Sequence, residues 1–406
     1  MVTPTARAVV SVPDVLGQWK ERDVAKNIIF CADGTWNNPN EDDNSDQSAD
    51  PTNVYKLFLC LDGMLSPDSV CNADEQEKEL TKDGATLQVS KYIHGVGDSR
   101  NPIIKLLGGA FGAGVISRIV RGYTFISRHY EPGANICIVG FSRGAYTARA
   151  LAGLIASQGL LAPPLTTDKE LAYRRGAEAW YRYRQATLGN PLSLARLAEI
   201  AADLPAFLSH SSLQDMDLVP IDRIAVVAVW DTVGAMGFPA YVGKGKRVDA
   251  FKFSDTKLSQ KVTTGFHAVA LDEQRNDFTP TLWNPAPHVT QVLFPGAHGD
   301  VGVGYSMTND ESGLSDGALH WMIKQLTGAG VLFANAHPYP LQPKPDGIAH
   351  QPWRHLPWTL PGVSLGVRRF PKGMPEDPSI AARMAADNVI AEPGDAPAPY
   401  RPTNRP

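Results

Sequence analysis

Four apolar runs, each too short to make a helix and each followed by a glycine-bearing loop, constrain this chain most. They are residues 27–31 (N-I-I-F-C), 136–139 (I-C-I-V), 224–230 (I-A-V-V-A-V-W) and 289–294 (V-T-Q-V-L-F). A strand with one wet face alternates apolar and polar residues, whereas a near-continuous run needs cover on both faces. Two of the loops lead into helical patterns: residues 145–157, and residues 315–326 with Ser315 at the N-cap position and Gly328 past the end. Strand, loop and helix in repetition predict an α/β fold, a mostly parallel sheet flanked by helices.

The chain has 406 residues, 43% of them hydrophobic and 20% charged, enough for one large domain or two ordinary ones. With 38 Lys and Arg against 42 Asp and Glu, it carries no basic footprint that would suit nucleic acid or a polybasic membrane patch. Cys31, Cys60, Cys71 and Cys137 show no ligand spacing, so neither a zinc site nor a disulfide framework is expected, and no cofactor is called for. Residues 1–18 contain Pro4, Pro13 and Asp14 and no continuous apolar segment, which predicts no signal peptide. The most apolar stretch, residues 106–117, is short and glycine-rich, so the chain is expected to be soluble and cytoplasmic as made.

Composition also divides the chain. Residues 1–26 read as an N-terminal extension, residues 27–332 as the α/β domain, and residues 333–406, with nearly half of the 32 prolines, as an extended wrapping segment. An Asn- and Asp-rich stretch over residues 37–51 reads as a surface loop. Residues 168–212 are helical in pattern, rich in Tyr, Arg and Ala, and broken by Gly189, Pro191 and Pro205. They suit an inserted helical cap controlling access to a site, since Trp180, Tyr181 and Tyr183 alternating with Arg make a surface apolar on one side and wet on the other; an ordinary packed helical hairpin explains the pattern equally well.

The sharpest chemical signal is Gly140-Phe141-Ser142-Arg143-Gly144, a G-x-S-x-G match between the second apolar run and a helical pattern. Strand, tight turn and helix are the context a nucleophile elbow requires, and Gly140 and Gly144 are the small residues that let strand and helix approach. This predicts an α/β-hydrolase type of sheet with Ser142 as nucleophile. A serine hydroxyl needs a base, and the base needs a carboxylate; on this fold they follow the serine in the order acid, then histidine. His298, in a glycine-rich loop directly after the last apolar run, is the expected base. Asp231, ending the longest run, is the expected acid, preferred over Asp300, which lies two residues from His298 and more naturally braces that loop. His267, in F-H-A-V-A-L-D-E, reads as a packed helix residue, and Asp272, Glu273 and Arg275 as a solvated or salt-bridged helix end. Oxyanion donors are expected from Arg143 and from Gly34 or Thr35, in the loop after the first run. The same loop, C-A-D-G-T, approaches the pattern of aspartate-nucleophile phosphatases, but Cys31 stands where the nucleophile belongs. The run G-A-F-G-A-G at residues 109–114 lacks the spacing of a dinucleotide fingerprint and suits close helix packing instead.

Seven ordered segments resemble a known family: F-C-A-D-G-T-W-N-N, Y-I-H-G-V-G-D, G-A-F-G-A-G-V-I-S-R-I, G-F-S-R-G-A-Y-T-A-R, V-W-D-T-V-G, H-A-V-A-L-D-E-Q-R and F-P-G-A-H-G-D-V-G-V-G-Y, with an echo in the closing Y-R-P-T-N-R-P. The chain resembles the DUF2235 α/β-hydrolase domains, which include the Tle1-type phospholipase effectors of bacterial type VI secretion. The resemblance implies a serine ester hydrolase with Ser142, Asp231 and His298 as its triad, acting on glycerophospholipid or related acyl esters. It also implies a peripheral membrane contact, secretion into a target cell, and partners in the secretion machinery or an immunity protein. A carboxylesterase or thioesterase, and an inactive interaction module on the same fold, are the readings it competes with.

Overall fold

A computed structural model describes residues 25–34, 51–70, 75–95, 111–188, 213–233, 256–306, 310–336, 341–356, 358–360 and 363–406. The chain order opens with β1 (Asn27–Ala32), α1 (Asn53–Cys60), β2 (Met64–Leu65), α2 (Pro67–Val70), β3 (Glu75–Lys82), β4 (Ala85–Ile93), α3 (Phe111–His129) and β5 (Asn135–Phe141). It continues with α4 (Arg143–Gln158), β6 (Leu160–Leu161), α5 (Lys169–Leu188), β7 (Leu218–Val219), β8 (Ile224–Trp230), β9 (Val262–Ala270), β10 (Val289–Phe294), α6 (His298–Gly302), α7 (Gly313–Gly328) and α8 (Pro378–Ala385).

Why the apolar runs are continuous is visible in β1, every residue of which is buried. Ile28, Phe30 and Ala32 enter one core, and Ile29 and Cys31 enter another on the opposite face. This is the period-2 division of a strand covered on both sides. The next two runs divide the same way, Ile136, Ile138, Val227 and Val229 on the first face and Cys137, Val139, Val226 and Ala228 on the second. Helices α3, α4 and α5 supply the first core, and α1 and α7 the second.

The sheet runs β10-β9-β8-β5-β1-β4-β3-β2. The six strands from β10 to β4 are mutually parallel, and β3 and β2 add an antiparallel edge. All six parallel strands therefore end at one edge, where Asp33, Ser142, Asp231 and the loops after β9 and β10 gather. The expected α/β architecture is present, with four strands of the sheet that the apolar runs did not reveal: β2, β3, β4 and β9. His267 lies on β9 and not on a helix, because Val262, Thr263, Thr264 and Val269 form a β-branched strand held between β8 and β10. The cap of the last long helix also differs: Ser312 is the N-cap of α7, while Ser315 sits in its first turn with Oγ donating to the Ser312 carbonyl.

Of the expected cap, residues 189–212 lie outside the described residues. The described part, α5, is a packed helix: Ala177, Ala179, Trp180 and Tyr183 are buried in the first core, and a Cβ on Gly153 of α4 would meet the Tyr183 hydroxyl at 2.3 Å. Beyond residue 333 the chain wraps the outer edge of β10, where the Leu293 amide donates to the Pro375 carbonyl and the Asp377 amide to the Leu293 carbonyl. Val269, Leu271, Leu293, Met374 and Ile380 close a third, smaller core there.

Candidate active site

Ser142 stands at the turn from β5 to α4 with φ 57 and ψ −119, a left-handed backbone conformation that a serine adopts only under constraint. The constraint is the close crossing of strand and helix. A Cβ on Gly140 would lie 2.3 Å from the Gly144 carbonyl oxygen, and one on Gly144 would lie 2.1 Å from that of Ala32. No larger residue fits at either place. Asp231, at the end of β8, also has positive φ, 34, so two of the four described non-glycine residues with positive φ belong to this site.

His298, the first residue of α6, joins them. Its Nε2 lies 2.9 Å from Ser142 Oγ and its Nδ1 2.5 Å from Asp231 Oδ2. The ring is held by Phe141, stacked at 4.6 Å, and by the edge of Phe278 at 4.9 Å. Ser142, His298 and Asp231 are all buried. Burial would raise the Asp231 carboxyl, but the Arg368 charge beside it, with hydrogen bonds from His298 and Arg368, holds it well below the usual carboxylate range. Burial lowers the His298 imidazole below its ordinary value, with Asp231 opposing the shift. A neutral ring beside an ionised, acceptor-only carboxylate must carry its proton on Nδ1, which leaves the Nε2 lone pair facing the serine hydroxyl.

The neighbours of this trio sort the other expected residues. Asp300 points elsewhere: its Oδ2 accepts from the amides of Ala297 and His350, and its Oδ1 lies 2.7 Å from His350 Nδ1. His267 is fully buried and is pulled down to about 3, first by burial and then by Arg149. Its neutral Nε2 accepts the Thr232 amide at 3.1 Å, steadying the turn that carries Asp231. The Gly34 amide donates to Asp33 Oδ1 at 2.6 Å, and Asp33 also accepts from Thr52 and Tyr92. Burial pushes the Asp33 carboxyl up to about 6, against those three donors. Thr35 lies outside the described residues.

Two neighbours of the trio have contacts that the sequence did not assign. Glu273 forms the expected salt bridge with Arg275, but fully buried in the loop after β9 and not at a helix end, and its carboxylate also accepts the His298 amide. Arg368, from the C-terminal segment, forks onto Asp231, with Nη1 2.7 Å from Oδ1 and Nη2 2.9 Å from Oδ2. Nothing local in a proline-rich stretch points to Arg368, whereas an acidic residue just past a buried strand was a signal available for Glu273.

The fold is of the α/β-hydrolase type, a mostly parallel sheet flanked by helices, with Ser142 in a tight strand-to-helix turn at its carboxyl edge. The chain belongs to the family of type VI secretion phospholipase effectors, Tle1-like, catalytic domain, whose model matches residues 26–325. It is similar to the uncharacterized protein YEL023C of Saccharomyces cerevisiae, 27% identical over 269 residues that make up 66% of this chain and 34% of the yeast protein. Among solved structures, it is 18% identical to an uncharacterized protein from Pseudomonas aeruginosa, at a TM-score of 0.40 with 76% of this chain and 46% of that chain covered. It is also 18% identical to the Tle1 effector bound to the VgrG spike of the type 6 secretion system, at a TM-score of 0.36 with 73% and 56% covered. The chain thus spans only part of the length of each of these three proteins.

Proposed function

We propose that the protein is a serine ester hydrolase whose substrate is an acyl ester of glycerophospholipid. The observation that carries this reading is the unbroken line of contacts from Ser142 Oγ through the His298 ring to Asp231. Ser142 Oγ attacks the acyl carbonyl carbon while its proton passes to His298 Nε2, and Asp231 steadies the imidazolium. The tetrahedral oxyanion is bound by the amide of Arg143, at the start of α4, and by a donor from the turn after β1. The Gly34 amide itself is already engaged by Asp33. Collapse expels the alcohol, which takes the proton from His298; water, deprotonated by His298, then frees the acid from acyl-Ser142.

The lipid surface is proposed to meet the protein at Leu356, Leu360, Leu365 and Val367, which are exposed. This rim is continuous with the site, because the Trp358 ring packs at 5.4 Å on Phe278, which packs on His298. Family membership further supports delivery into a target cell through a secretion spike such as the VgrG bound by Tle1.

A fluorophosphonate probe followed by peptide mapping tests the core of the reading. It should label Ser142 alone, and Ser142→Ala should abolish both labelling and release of fatty acid from phospholipid vesicles while folding normally. Full turnover in that variant would refute the assignment.

A further inference from the structure

A buried arginine on a catalytic-type carboxylate is an unusual neighbour. In a Ser-His-Asp arrangement the acid is wanted as a negative charge facing the imidazolium, and a cation on its other side weakens that pull. Here the Arg368 side chain is 4% exposed and Asp231 is fully buried. The guanidinium spans both carboxylate oxygens, donates to the Ala270 carbonyl at 2.7 Å, and also reaches the Phe278 carbonyl. It is therefore fixed to the end of β9 and to the loop carrying Phe278, whose ring edge holds His298. The segment that brings it in is itself anchored, by the Gly366 amide on the Gln274 carbonyl and by Asn404 Nδ2 on the carbonyls of Leu271 and Arg368.

We infer that Arg368 is a positioning residue of the hydrolase site: it fixes the plane of the Asp231 carboxylate and sets the pH at which the Asp231–His298 pair gives up its proton. The inference rests on the ester-hydrolase reading. Two physical consequences follow. A bidentate fork allows the carboxylate one orientation, with Oδ2 aimed at His298 Nδ1. A fixed positive charge beside the pair disfavours its protonated form wherever the proton resides, on the ring or on the carboxyl. Removing that charge must raise the apparent pKa of the pair.

Other charged groups face the pair from the surrounding elements. Glu273 and Arg275, in the loop after β9, neutralise one another, and Glu273 accepts the His298 amide. Asp300 on α6 is paired with His350. His267 on β9, neutral, accepts the amide next to Asp231, and Arg149 on α4 acts on that same ring. A substitution at Arg368 leaves all of them in place.

The test is the pH profile of p-nitrophenyl butyrate hydrolysis, with fluorophosphonate labelling of Ser142 as a second readout. Arg368→Gln should move the acid limb upward by about one pH unit or more, a loss of about tenfold or more on the acid side. Arg368→Lys keeps the charge but cannot span two oxygens, so its acid limb should stay near that of the unaltered protein while kcat falls. A merely structural arginine would lower stability and leave both limbs unmoved. A folded Arg368→Gln with an unshifted acid limb, or an Arg368→Lys of full kcat, would overturn the inference and leave the hydrolase reading intact. If Arg368→Gln does not fold, the lysine variant and the unaltered protein decide: the latter should show an acid limb below the ordinary imidazole value of about 6.5, and a limb at or above that value overturns the inference. Absence of Ser142 labelling in the unaltered protein would sink both readings together.

Discussion

Asp231 has two partners that need the same charge for different reasons. His298 needs it to select a tautomer, and Arg368 needs it to remain tolerable in a buried place. The two roles separate what a sequence can and cannot announce. Position at the end of a buried run was enough to single out Asp231, and two glycines around a serine were enough for the elbow, because each rests on local backbone geometry. Arg368 is 137 residues away in sequence from the carboxylate it holds, and its identity follows only from tertiary placement. The consequence alters what Asp231→Asn should do. From sequence alone that change is expected to cost about 10⁴ in kcat and little stability. With Arg368 beside it, the amide also leaves a buried cation uncompensated, so stability should fall by about 3–5 kcal/mol as well. Combining Asp231→Asn with Arg368→Gln should recover part of that stability and none of the turnover. Denaturant unfolding of the single and double variants checks this, and equal stabilities for the two would show that the fork carries no energetic weight.

At the level of elements, the apolar runs announced β1, β5, β8 and β10 and missed the strands whose apolar pattern is interrupted or polar. In β3 the sequence E-Q-E-K-E-L-T-K is half solvated, and β9 breaks its apolar pattern with Gly265 and His267. One signal was nevertheless present: Asp83 and Gly84 have φ of 52 and 79, and a D-G pair between two candidate strands is the strongest short-range mark of a tight hairpin. For α5 the sequence left two readings, and its described residues favour packing. Trp180 is 5% exposed and lies 5.6 Å from the Tyr183 ring, on the flank of α3 and α4. Trp180→Ala should therefore lower stability by about 3–5 kcal/mol. At a temperature where the variant is folded, it should treat short soluble esters and long-chain lipids alike. A change in preference between the two substrates at unchanged stability would restore the cap.

At the scale of the whole molecule, the family match ends at residue 325 while the structure around the site does not. The tail supplies Arg368 to Asp231, and its last residues hold Arg368 in turn. Tyr400 donates its hydroxyl to Asp272, at 2.9 and 2.8 Å from the two oxygens, in the loop that also carries Glu273. Burial pushes the Asp272 carboxyl up to about 6, against the donors of Gly296 and Tyr400, so loss of either donor is felt. Asn404 ties the Leu271 and Arg368 carbonyls together. Composition suggested that this proline-rich segment wraps the surface; it gave no sign that the wrapping ends inside the site, because proline content reports local stiffness and not destination. Deleting residues 400–406 should then act at two levels. The lost hydrogen bonds to buried groups should destabilise the protein by about 3 kcal/mol, seen as a lower thermal midpoint. Turnover should also fall, since Arg368 loses the anchor on its main chain. Arg405 provides the control, because its pair with Glu376 is surface-exposed and Arg405→Ala should change stability by at most about 1 kcal/mol. If the deletion left midpoint and kcat where they were, the tail would be a mere covering. A drop in both, against a silent Arg405→Ala, makes the last residues part of the scaffold on which Asp231 is aimed.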